Sequence, residues 1–273
     1  YALQIINHGV ILQIRFHMPR HRGTYNPENK EAYELSRSRI ENFVKCPACF
    51  YLTQVKGIKF PSIPGFNINE ATDVLLKRDF DKFRGAETTH DFLINLDMGH
   101  LIPFEHPNFE LWTQSLHFGA EGRMNFVHEA TNLKVGGGLD DVWLNKNTEE
   151  LHIVDYKSTS QKSDGKVISL DDPWKEAYKR QMDLYVWVMT QKGFNVSKTG
   201  YFLYCDGDRF SDYSFLNQND ASMKFKMSLL SYEVNFDWIE PTLMNIRECL
   251  HKKECPDHAP ACEYGQFLDA VVN

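Results

Sequence analysis

The sequence predicts an α/β (α+β) fold in which a central mixed β-sheet is flanked by helices, with a helical N-terminal part and a cysteine-bearing C-terminal tail. Three observations carry this. Strand-like alternation fills the middle of the chain, from Phe118 to Asn145, Leu151 to Ser160 and Thr199 to Cys205. Helical periodicity fills the segments before, between and after these strands. Six cysteines stand at 46, 49, 205, 249, 255 and 262, mostly near the two ends, which is not the layout of a disulfide scaffold.

Length and composition bound the rest. The 273 residues, 42% hydrophobic and 25% charged, suffice for one large domain, here placed at 36–273 with residues 1–35 as an extension of uncertain fold. No apolar run approaches bilayer length, and the start lacks the pattern of a secretory signal. The expectation is a soluble, cytoplasmic protein without a membrane partner. A net charge of −7 argues against a uniformly basic coat for nucleic acid. It is compatible with a nuclease whose cations cluster locally around a groove.

Taken in order, Val10, Leu12, Ile14 and Phe16 alternate like a strand, and a polar, turn-rich stretch follows. From Ser36, LSRSRIENFVKCPACFYL begins with a serine cap and carries Ile40, Phe43 and Val44 at helical spacing. That helix delivers Cys46 at its end, with Pro47 and Cys49 in the next turn. A proline-rich loop leads to NEATDVLLKRDFDKFR, an amphipathic helix with Ala71, Val74, Leu75 and Phe80 among its apolar positions. Phe92, Leu93 and Leu96 mark a short helix whose first residue, His90, offers a ligand or a base. A helix containing Trp112 precedes the strand region, where LHIVDYKSTS reads as the third strand of a meander.

The clearest helix is DPWKEAYKRQMDLYVWVMTQKG: Asp172 caps it, Pro173 takes its first position and Gly193 ends it. Gln181 and Tyr185 stand four apart and share a face with Tyr178. Thr199 to Cys205 then alternates like a buried strand, and Met223, Phe225 and Met227 alternate with lysines like a half-exposed one. A final helix, DWIEPTLMNIRECL, and the tail HKKECPDHAPACEYGQFLDAVVN close the chain.

Chemistry concentrates between Val135 and Ser160. Asp140 follows three glycines, and the next strand ends in Asp155-Tyr156-Lys157. On that strand Asp155 and Lys157 share a side with Leu151 and Ile153. Only one of the neighbours Asp140 and Asp141 can face the same site. Two carboxylates suit Mg²⁺ or Mn²⁺, hard ions that keep water positions open, and a lysine beside them can orient a water or offset phosphate charge. Lys162, Lys166, Lys175, Lys179 and Arg180 flank these motifs as a basic strip for nucleic acid, or as a solvated helix face.

Together these segments resemble the PD-(D/E)XK nuclease superfamily, in its RecB-like exonuclease branch. The resemblance rests on G-G-L-D (Gly137 to Asp140), D-Y-K (Asp155 to Lys157), Q-x-x-x-Y (Gln181, Tyr185) and the S-x-S-x-I opening from Ser36 that leads into Cys46-Pro47. It runs from about Ser36 to the tail and implies a restriction-endonuclease-like core. It further implies that Asp140, Asp155 and the Tyr156 carbonyl hold Mg²⁺ or Mn²⁺, that Lys157 is catalytic, and that Gln181 and Tyr185 line the nucleic-acid side. His90 would be a further metal ligand, although its glycine stands five residues upstream, at Gly85, where a G-x-x-x-H spacing is commoner.

DNA is the expected substrate ahead of RNA, with a helicase or the CRISPR or repair machinery as partners of such nucleases. Some members of the branch carry a four-cysteine iron–sulfur cluster. Here Gly265 stands where the last cysteine would fall, so Cys46, Cys49, Cys255 and Cys262, with His258 as a substitute, could hold zinc or a cluster, or be packed thiols. Two other function classes compete with the nuclease: an inactive nucleic-acid-binding module of the same fold, and an interaction protein tied through a terminal metal site.

Overall fold

The structure, a computed structural model, describes residues 5–7, 10–12, 24–58, 60, 65–116 and 121–272. In chain order the strands are β1 (Ile5–Asn7), β2 (Val10–Leu12), β3 (Tyr33–Ser36), β4 (Leu101–Pro103), β5 (Asn125–His128), β6 (Leu133–Gly136), β7 (Asp141–Asn145), β8 (Leu151–Thr159), β9 (Thr199–Gly207) and β10 (Phe225–Glu233). The helices are α1 (Arg37–Lys45), α2 (Pro47–Gln54), α3 (Asn67–Asp81), α4 (Asp91–Ile94), α5 (Phe109–Trp112), α6 (Glu176–Gln191), α7 (Ile239–Leu250) and α8 (Glu263–Val272). The architecture is mixed α/β, with two mixed sheets flanked by helices.

The larger sheet runs β10-β9-β8-β7-β4, with β8 and β9 parallel and the other pairs antiparallel. A parallel pair needs a crossover, and α6 supplies it. The smaller sheet runs β3-β6-β5, with β3 parallel to β6. β1 and β2 form a separate hairpin; residues 13–16 of the alternation read over Val10 to Phe16 lie outside the described residues, as do the opening residues of the stretch from Phe118.

The single meander expected through Leu151–Ser160 is therefore divided between two sheets. β6 ends at Gly136, and the chain passes through Gly137 and Gly138 into the other sheet. These glycines are required by close approach: a Cβ at Gly136 would lie 2.2 Å from the Met124 carbonyl oxygen, and one at Gly137 would lie 2.8 Å from the Tyr185 hydroxyl.

α6 explains how two sheets share one core. Nine consecutive residues from Gln181 to Met189 are buried, so the helix has no solvent face over this span. It touches β8 of the larger sheet and β5 and β6 of the smaller one, bringing Met182, Tyr185 and Trp187 together with Leu133, Val135, Ile153 and Phe202. Each such large side chain, fully buried, contributes roughly 1.5–3 kcal/mol of transfer free energy. α3 lies against β8 as well, in a second cluster where Phe80 meets Trp143, Val154 and Tyr156. β8 alternates accordingly: Leu151 and Ile153 belong to the α6 cluster, Val154 and Tyr156 to the α3 cluster.

Several expectations shift. The folded unit begins before Ser36, because β3 is a strand of the smaller sheet and Tyr25 is buried in the main core, its hydroxyl 2.7 Å from His251 Nε2. Two helices, α1 and α2, replace one helix and a turn: Pro47 starts the second, where its missing N–H costs nothing. Asp172 makes no side-chain cap; it precedes a 3-10 turn, Pro173–Lys175, that runs into α6. The tail beyond α7 contains a further helix, α8. Val74 and Leu75 are exposed, and α3 instead turns Thr72, Leu76 and Phe80 inward.

Candidate active site and metal centre

β7 and β8 pair so that Asp141 sits opposite Val154, which sets Asp140 beside Asp155 at the end of the ladder. The Tyr156 backbone amide donates to Asp140 Oδ2 at 2.9 Å. Asp155 is 1% exposed, and Gln181 Nε2 on α6 donates to its Oδ1 at 2.6 Å. The Lys157 ammonium forms an ion pair with Asp155 Oδ2 and lies 4.6 Å from the centre of the Tyr178 ring. Asp140, Asp155 and Lys157, with Gln181 of α6, are thus in one cluster.

The choice between Asp140 and Asp141 follows from the partners each has. Asp141 accepts from Arg84 at 2.8 Å, from its neighbour's amide at Val142, from Trp143 Nε1 at 3.0 Å and from the Tyr156 hydroxyl at 2.7 Å. Its acceptor positions are filled within the α3-side cluster. Asp140 keeps 23% of its side chain exposed and faces Lys77 at 3.6 Å.

Electrostatics sets Asp140 apart. Burial, and then the Asp155 charge, push its carboxyl up to about 6, against the pull of Lys157, Lys77 and the Tyr156 amide. Lys77 shifts the same way: burial works against its charge, but Asp140 and Asp73 outweigh burial and hold the ammonium above its usual range. Asp73, 2.9 Å from Lys77, is itself raised by burial and by Asp140. Three acids face two lysines, leaving an excess of negative charge.

Asp73 and Lys77 are members of this cluster that the sequence reading did not single out. The available signal was their i,i+4 spacing on α3 beside Thr72, which is 6% exposed and hydrogen-bonds the Ser158 hydroxyl at the end of β8. Tyr185 is buried too; burial raises its hydroxyl to about 12, partly countered by a hydrogen bond with Arg37 of α1.

His90 stands at the start of α4. Its Nδ1 accepts from the Phe92 amide at 3.0 Å, capping α4, and its ring lies 4.8 Å from Phe80 and 4.9 Å from Phe83. A histidine at a helix start is drawn to the free amides there, and two aromatic neighbours hold this one in place.

The basic strip is also altered. Lys175 is 2% exposed, bonded to the Ser169 carbonyl and paired with Asp172 at 3.1 Å. Lys179 pairs with Glu176 at 2.7 Å, and Arg180 makes a two-pronged contact with buried Glu41 of α1 at 2.9 Å. Lys162 and Lys166 are exposed.

A second cluster forms where the α1–α2 junction meets the C-terminal tail. Cys46, Cys49, His258 and Cys262 bring their ligand atoms within 4.8 Å of one another, and this Cys₃His set could hold a metal such as Zn²⁺. It is the one such group of three or more histidine, cysteine or acidic residues among the described residues, so Asp73, Asp140 and Asp155 do not close that tightly. Cys255 is not part of the set: it is exposed, its sulfur 3.9 Å from the Ala48 carbonyl, and His258 takes its place. Cys205 and Cys249 are buried thiols of β9 and α7.

No helix among the described residues is long and apolar enough to cross a membrane. No family model matches the chain, and neither a curated protein nor a solved structure matches it.

Proposed function

We propose that this chain is a divalent-metal-dependent nuclease of the PD-(D/E)XK superfamily, of RecB-like type, hydrolysing phosphodiester bonds of nucleic acid and of DNA ahead of RNA. The observation that carries the reading is the convergence of Asp140, just before β7, with Asp155 and Lys157 of β8 and Gln181 of α6, with Asp141 fully engaged elsewhere.

The donor set fits Mg²⁺ or Mn²⁺ by chemistry. Hard carboxylate oxygens are what these ions prefer, the Asp140 carboxyl is raised by burial and then by the Asp155 charge, which a cation would relieve, and the buried Gln181 Oε1 has no hydrogen-bond partner among the described residues. Asp140 and Asp155, with the Tyr156 carbonyl, would hold the ion. When bound, it supplies an activated water and stabilises the charge that develops at phosphorus.

The chain's own residues do the rest. Gln181 Nε2 fixes the Asp155 carboxylate, and the Tyr156 amide fixes that of Asp140, so neither needs reorientation on binding. Lys77, held between Asp73 and Asp140, offsets part of the charge from the α3 side. Lys157 leaves Asp155 for the scissile phosphate or the attacking water, and the face of Tyr178 keeps the ammonium at the mouth of the site.

The test is cleavage of labelled single- and double-stranded DNA with Mg²⁺ or Mn²⁺. Asp155→Ala and Lys157→Ala should each lose activity by at least about 10²-fold while melting within a few degrees of the parent. Parent-level cleavage by both variants would overturn the assignment, as would inert parent protein under both metals.

A further inference from the structure

The four residues at the junction of α1 and α2 and in the tail have a geometry that a group of packed thiols does not require. His258 Nδ1 lies 3.5 Å from Cys46 Sγ, 3.6 Å from Cys49 Sγ and 3.5 Å from Cys262 Sγ. One ion with Zn–S bonds of about 2.3 Å and a Zn–N bond of about 2.0–2.1 Å at tetrahedral angles gives S···N edges of about 3.6 Å and S···S edges of about 3.8 Å. All three S···N distances match that figure, and the Cys49–Cys262 sulfur pair, at 3.4 Å, lies near the second.

The surroundings are also those of a thiolate site. Cys46, Cys49 and Cys262 are each under 10% exposed and pack with Ala48, Phe60 and Ala259. Backbone amides point at the sulfurs: Ala259 N–H donates to Cys46 Sγ and Gly265 N–H to Cys262 Sγ, both at 3.4 Å. A Cβ at Gly265 would stand 2.6 Å from the His258 Cβ. Gly265 therefore makes room for the histidine, and a cysteine at that position would collide with the fourth ligand.

We propose that Cys46, Cys49, His258 and Cys262 bind a single structural Zn²⁺ that ties the α1–α2 elbow to the C-terminal tail. Four ligand atoms at the corners of one small tetrahedron share one ion. A four-iron cluster places its four protein ligands on four separate irons and needs them farther apart. Two of the ligands come from the start of the domain and two from its last thirty residues, so the ion closes a loop of more than two hundred residues. This site is independent of the carboxylate cluster and of whether that cluster cuts nucleic acid.

The experiment measures metal content of the full chain, expressed with zinc and iron both supplied and purified without oxygen. The expected result is one zinc per chain, no stoichiometric iron and no visible absorption, with Co²⁺ exchange giving the intense bands of a tetrahedral thiolate site. Cys262→Ser and His258→Ala should lose most of the zinc, while His258→Cys and Cys255→Ser retain it. Because the first two variants can misfold, chelator-induced release of zinc from the parent, followed with a zinc dye, supplies an independent reading. Stoichiometric iron with visible absorption, a Cys49–Cys262 disulfide in a metal-free chain, or equal zinc loss in Cys255→Ser and Cys262→Ser would each overturn the proposal.

Discussion

Asp140 and Asp141 show how much a single residue's surroundings decide. Asp141 opens β7 and Asp140 directly precedes it, yet Asp141 has four donors around it while Asp140 is held up by burial and the Asp155 charge. The Asp140 carboxyl is raised to about 6 in the fold, from 3.8 as the ordinary value. Between those values the native state binds more protons than the unfolded chain, so metal-free stability falls as pH rises from about 4 to about 6 and levels off above. Asp140→Asn keeps an oxygen for the Tyr156 amide and removes this charge. At pH 7 in chelator it should be more stable than the parent by about 1–3 kcal/mol, with the gain vanishing near pH 4, as read by urea unfolding at both pH values. An equal gain at the two values, or none at pH 7, would show that Asp140 carries no such strain.

At the scale of elements, α6 depends on one buried acid at its centre. Asp183, 2% exposed, accepts from the Asn235 amide and from Trp238 Nε1, each at 2.9 Å, and from the Tyr232 hydroxyl. These bonds fasten the helix to the connection between β10 and α7. Asp183→Ala leaves three donors without an acceptor and should cost about 2–4 kcal/mol in chemical denaturation, whereas Asp183→Asn should cost less than half as much. Equal losses would mean that packing, not the acceptor, holds this junction. The sequence made α6 legible because its apolar run, N-terminal proline and terminal glycine agree. α3 was legible as a helix but not in orientation. Its exposed Val74 and Leu75 resemble a core face, while the side turned to β8 holds polar Thr72, Asp73 and Lys77, which hydrophobic patterning reads as solvated. Strand parity put Asp155 and Lys157 on one side of their strand and helical spacing put Gln181 and Tyr185 on one face of theirs, both local rules, whereas grouping them with Asp140 rested on the family resemblance. The division of the strands between two sheets and the approach of His258 to Cys46 depend on contacts distant in sequence.

For the whole molecule, the proposed function raises the question of how a chain of net charge −7 would approach a polyanion. Of the five cations placed on a basic strip, Lys175, Lys179 and Arg180 are already neutralised by Asp172, Glu176 and Glu41. Arg180 also braces α6 against α1, so a phosphate would have to displace a buried carboxylate to use it. Lys162 and Lys166 are exposed on the loop between β8 and the 3-10 turn and form no salt bridge among the described residues, although the Lys166 charge helps to hold the Asp172 carboxyl down. Each phosphate contact adds about 0.9 to the slope of log affinity against log salt for duplex DNA. Lys162→Ala with Lys166→Ala should therefore lower that slope by about 2, while Lys179→Ala should lower it by less than about 0.5, in anisotropy titrations with chelator present. If Lys179→Ala flattens the salt dependence as much as the loop pair does, the ion pair with Glu176 does not survive DNA binding, and the nucleic-acid path runs along α6 instead of the loop.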